Sequence, residues 1–117
     1  MQLGLVSTDL MLASRLAGVA TALELRLVTA GSASVALDWN AAETAVVVVD
    51  LRTVGSGIRD FAAAWHSASD SPPLVACGPH VHEQLLAAAQ AAGCAAVVTR
   101  GQFDRDAEQI LRAVLQT

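Results

Sequence analysis

Lysine is missing altogether: the chain's seven basic residues are all arginine, set against eleven acidic ones. That absence excludes any mechanism that runs through a Schiff base or a lysine ammonium. The formal net charge of −4 argues against a nucleic-acid partner, because such binders cluster Lys and Arg to neutralise phosphates. Aromatics are equally scarce, with two Trp, two Phe and no Tyr. The core must therefore be Ala, Val and Leu, which favours helices packed closely on a sheet over a deep aromatic ligand pocket. No apolar run approaches the roughly 18 residues that span a bilayer; the densest stretch, 41–51, carries Glu43 and Asp50 near its ends. The start Met1-Gln2-Leu3-Gly4 has no basic stretch leading into an apolar one, so export is not expected. Only two cysteines occur, a usage that fits a reducing compartment. A cytoplasmic protein without membrane association is the expectation, and a length of 117 residues corresponds to a single domain, 1–117.

What is present is a valine run ending on a carboxylate, Val46-Val47-Val48-Val49-Asp50. A short, wholly apolar, β-branched run reads as a strand buried on both faces, here 44–51. Similar runs at 3–6, 25–29, 74–77 and 95–99 alternate with helical patterns. The first helix opens at Ser7-Thr8-Asp9, all good caps, and carries Leu12, Leu16, Val19 and Leu23 at helical spacing. A helix after Gly55-Ser56-Gly57 is expected to run to about Ser69, before Ser71-Pro72-Pro73 breaks the pattern. Helices are also expected at about 81–92, ahead of Gly93, and at about 103–116. The segment 31–43 is too short for a full crossover helix plus two loops, so a stunted or irregular helix is expected there. Five strands alternating with about five helices predict an α/β fold: a single doubly wound parallel sheet of strand order 2-1-3-4-5, flavodoxin-like.

In that fold the carboxyl ends of the strands meet at one edge, where open α/β sheets place their sites. The residues delivered there are Ser7, Thr8, Asp9, Asp50, Gly78 and Arg100. Along its whole length, through "VVVVDL" at 46–51, "LVACGPHVHEQLLAAAQAAGCAAVVTRGQF" at 74–103 and "DLMLASRL" at 9–16, the chain resembles the receiver domain of bacterial response regulators. The resemblance implies phosphoryl transfer to a carboxylate assisted by Mg²⁺, and it matches Asp50 to the phosphoacceptor. It puts Ser7 and Thr8 where the family carries an acidic pair, and Gly78 where it carries a small hydroxyl residue. Arg100 stands at the lysine position, Gly101 at the following proline and Val97 at the aromatic switch. The altered positions lead to the expectation of a degenerate pseudo-receiver, with Mg²⁺ held by Asp50 and Asp9 if it binds at all.

Each of these residues also has a plainer reading. Asp50 can cap the loop that follows it, Asp9 the first helix, and Arg100 can be either the partner of Asp50 or a solvated strand-end charge. His80 and His82 are two apart at a helix start and lack an evident third ligand, so a zinc site is not expected. Cys77 closes one strand and Cys94 precedes the next, which puts them at opposite ends of a parallel sheet, beyond the roughly 7 Å Cα limit for a disulfide. In the last helix Phe103, Ala107, Ile110 and Val114 form a core stripe that Leu111 and Leu115 widen, while Leu86 and Ala89 do the same beside Leu85. Wide stripes mean either deep burial or an interface. As an interface, Leu86, Ala89, Leu111 and Leu115 would build a symmetric homodimer, on a surface receivers commonly use. The reading is a stand-alone, non-enzymatic signalling domain acting on protein partners such as a histidine kinase or an output protein. The alternatives are an active receiver phosphorylated on Asp50, or a small ligand-binding or enzymatic flavodoxin-like protein.

Overall fold

The valine run alternates between two cores, which is why it contains no polar residue. In the computed structural model, which describes residues 1–68 and 70–116, Val46 and Val48 face one apolar cluster and Val47 and Val49 the other. The strand they form, β3 (Thr44–Asp50), is the centre of a five-stranded sheet with β1 (Gln2–Val6), β2 (Arg26–Ala30), β4 (Leu74–Gly78) and β5 (Ala96–Thr99). All pairings are parallel and the order is β2-β1-β3-β4-β5, the predicted flavodoxin-like topology. Helices α1 (Leu10–Ala22) and α6 (Arg100–Leu115) cover one face, where Leu12, Leu16, Phe103 and Leu111 pack on Leu3, Leu5, Val46 and Val48. The other face receives α2 (Ala33–Ala36), α3 (Leu51–Val54), α4 (Ile58–Trp65) and α5 (Glu83–Ala91), with Phe61 and Trp65 stacked at 6.1 Å.

The stunted crossover is real. A single turn, α2, follows β2, and a 3-10 turn at Ala41–Glu43 completes the connection. Trp39 fills the gap that a longer helix would cover: its ring lies against Gly4 in β1, where an added Cβ would come within 2.5 Å of the indole.

Other boundaries depart from the sequence reading for local reasons. The strand ends at Asp50 and not at Leu51, because the Asp50 side chain accepts from the Arg52 N–H and starts α3 at once. Gly55-Ser56-Gly57 is a 3-10 turn between two helices. At Gly55 φ is +58°, so a left-handed residue there separates α3 from α4. The helix α4 stops at Trp65, whose indole N–H donates to the Pro72 carbonyl at 2.9 Å and ties down the return to β4. Ser69, the expected end, lies outside the described residues. The final helix starts three residues early because Thr99 and Gln102 form a capping box.

Candidate functional site

Asp50 arrives at the sheet edge at the end of β3 and is 3% exposed. Burial of a carboxylate demands partners, and here they are neutral. The Ser7 hydroxyl donates to Oδ2 at 2.7 Å, the Arg52 N–H donates to Oδ1 at 3.0 Å, and the Thr53 hydroxyl reaches Oδ2 at 3.4 Å. Ser7 in turn accepts from the Asp9 N–H at 3.0 Å, while Thr53 accepts from the Thr8 N–H at 3.3 Å. The loop after β1 and the first turn of α3 are thus laced together through one buried carboxylate.

Arg100 reaches that network only through Asp9. It is neither the partner of Asp50 nor a solvated charge: its guanidinium pairs with Asp9 at 2.9 Å and with Asp104 at 3.0 Å. The reason is positional, since α6 begins at Arg100 and not at about 103, which puts Asp104 one helical turn away. Asp9 does cap α1, accepting from the Met11 and Leu12 N–H groups with Oδ1 while Oδ2 takes Arg100. The Arg100 hydrogen bond, helped by that from the Leu12 N–H, holds the Asp9 carboxyl below its ordinary value of 3.8. A depressed folded pKa contributes stability above the unfolded value that is lost as pH falls through the folded one. An NMR titration is therefore expected to find Asp9 titrating below 3.8, and Arg100→Gln to move its midpoint upward.

Gly78 lies at the edge, but the space beside it belongs to Leu51, whose Cβ would stand 3.1 Å from a Cβ built there. Cys77, opposite Asp50 in the β3–β4 register, is no nucleophile. Burial, with the Asp50 charge adding to it, pushes its thiol up to about 12, so thiolate is scarce at neutral pH. Both cysteines are free. The opening above these residues is a cleft of about 280 Å³ lined by Thr8, Asp9, Asp50, Arg52 and Thr53.

No family model matches the sequence, and neither does any curated protein. Solved structures do. A response regulator from Thermotoga maritima superposes with a TM-score of 0.80 over 99% of this chain and 98% of its own, at 10% identity. A receiver protein from Pseudoalteromonas atlantica gives 0.81 over 99% and 98%, at 11% identity. One from Burkholderia phymatum gives 0.75 over 97% and 94%, at 18% identity. The fold is that of a receiver domain.

Within this receiver fold the predicted edge residues other than Gly78 are linked in one hydrogen-bonded chain. Ser7 donates directly to Asp50, Thr53 connects Thr8 to Asp50, and the Asp9 N–H donates to Ser7 while the Asp9 carboxylate holds Arg100. Asp50 and Asp9 supply the carboxylates at this edge, and both oxygens of each accept from protein donors; a near-octahedral Mg²⁺ shell would have to share or displace those contacts. Among the described residues no three His, Cys, Asp or Glu side chains are grouped to hold a metal, nor is any helix long and apolar enough to cross a membrane.

The interface reading needs correcting. Ala89 and Leu111 are fully buried core residues of the receiver fold, so the widened stripe at those positions is depth and not surface. Leu86 is half-buried against the core beside α4, which leaves Leu115, at 38% exposure, as the candidate that faces outward. Sequence reasoning also missed Thr53 and Asp104. A hydroxyl three residues after a helix-capping Asp, and an Asp four residues after Arg100, are the signals that point to them.

Proposed function

We propose that this chain is a degenerate receiver domain, a signalling module that works through protein contact and does not use Asp50 as an efficient phosphoacceptor. One observation carries the reading: the Asp50 oxygen Oδ2 is occupied by the Ser7 hydroxyl at 2.7 Å. In an active receiver, as the family resemblance implies, that carboxylate would present an oxygen to a metal and an incoming phosphoryl group. Phosphoryl transfer depends on positioned cations that neutralise charge developing on the equatorial oxygens. Here the charged donor Arg100 is taken up by Asp9 and Asp104, and Gly78 supplies no side-chain hydroxyl. The chain then has no enzymatic step and no required cofactor, and its partners are proteins such as a kinase or an output protein.

Intact mass spectrometry after incubation with Mg²⁺ and acetyl phosphate tests this, with Asp50→Asn as the control. No mass gain is the expected result. A stoichiometric phosphate adduct that disappears in Asp50→Asn would establish an active receiver instead.

A further inference from the structure

The backbone of α6 is kinked at one residue. Asp106 has φ −126° and ψ 23°, outside the helical region, and separates a head, 100–105, from the remainder, 107–115. The head has its own start, the Thr99–Gln102 capping box. Its carbonyls approach a break, where regular helical donors run out. Arg15 of α1 supplies one from outside, donating to the Asp104 carbonyl at 2.6 Å. From the same side Asp9 takes the Arg100 guanidinium. Between head and α1 runs an open seam of about 330 Å³ lined by Met11, Ser14, Arg15, Arg100 and Asp104. Charge and hydrogen bonding hold the two elements across this seam, and the head's single deeply buried apolar anchor is Phe103.

We infer that residues 100–105 form a latched segment hinged at Asp106, held closed against α1 by the Asp9–Arg100 and Arg15–Asp104 contacts, and able to open without unfolding the rest of α6. The latch acts whether or not Asp50 accepts a phosphoryl group, so its fate is separable from that of the proposed function. Segments that open sub-globally are those held by few apolar contacts and more exposed polar ones, and half-exposed ion pairs weaken as salt rises.

Amide hydrogen exchange followed by NMR tests the latch in the wild type, in Asp9→Asn, which keeps a capping side chain on α1, and in Arg100→Gln, which leaves that cap untouched. In both variants the amides of Phe103, Asp104 and Arg105 are expected to exchange roughly tenfold faster, while those of 107–115 stay within about twofold of wild type. Salt at about 1 M should loosen the wild-type head in the same way. The inference is overturned if head and remainder lose protection together, as one cooperative helix would, or if neither variant changes the head.

Discussion

Gly4→Val is expected to destabilise the fold by about 3 kcal/mol, with Trp39 emission shifting to that of a solvated indole. Gly4 sits in the middle of β1, paired with Val28 on one side and Val47 on the other. A mid-strand glycine is unfavourable by roughly 0.5–1 kcal/mol, so something must require it. That requirement is the Trp39 ring, which occupies the Cβ position to within 2.5 Å. Valine at this position would force the indole off the sheet, and re-exposing about 100 Å² of apolar surface at ~25 cal/mol/Å² accounts for most of the loss. The double variant Gly4→Val with Trp39→Leu should recover much of it, because leucine leaves room for the added methyls and the two substitutions act on one contact. Chemical denaturation with and without the second substitution measures this. A single variant within about 0.5 kcal/mol of wild type would mean that Trp39 does not depend on Gly4.

Gly4 illustrates what the sequence could and could not convey. The parallel sheet was legible because β-branched runs buried on both faces carry no polar interruption, and the shortness of 31–43 announced an irregular crossover. That Trp39 would stand in for the missing helix, and so dictate glycine in β1, depends on a tertiary contact between positions 35 residues apart. The same limit applies at the site. The convergence of Ser7, Thr8, Asp9, Asp50, Gly78 and Arg100 followed from topology, but their partners depended on where the last helix begins. Starting that helix at about 103 left Arg100 as a strand-end charge free to face Asp50; as the first residue of α6 it turns to Asp104 and Asp9. Three residues in a helix start thus change which carboxylate the arginine neutralises, and boundaries are what local pattern specifies least. At Ala89 and Leu111 the stripe was ambiguous for a different reason, since the same helical periodicity describes a deep core face and a docking face, and only packing against Val46 and Val48 settled Leu111 as core.

Ser7→Asp tests whether a neutral hydroxyl is what keeps this site closed to metal. The substitution puts a second carboxylate where a hydroxyl now lies 2.7 Å from Asp50 Oδ2. Two carboxylates at that separation cannot both stay ionised without a cation, and one pKa rises by two units or more, a cost on the order of 3 kcal/mol at pH 7. Because the folded-state pKa is raised, the penalty is full at neutral pH and fades as pH falls through that raised value, where the protonated carboxyl donates as the Ser7 hydroxyl did. Ser7→Asn, of similar size but uncharged, can still donate to Asp50 and should lose much less. Mg²⁺ at roughly a hundredfold excess over its dissociation constant would return about 2.7 kcal/mol to the aspartate variant, while leaving the wild type and Ser7→Asn unmoved. Thermal melts of the three proteins in chelator and in Mg²⁺ decide the matter. Equal stability of the Asp and Asn variants would show that Asp50 does not feel its neighbour's charge. A wild-type melting temperature that climbs with Mg²⁺ would mean that Ser7 yields to the ion, and the reading of a closed site would have to be abandoned.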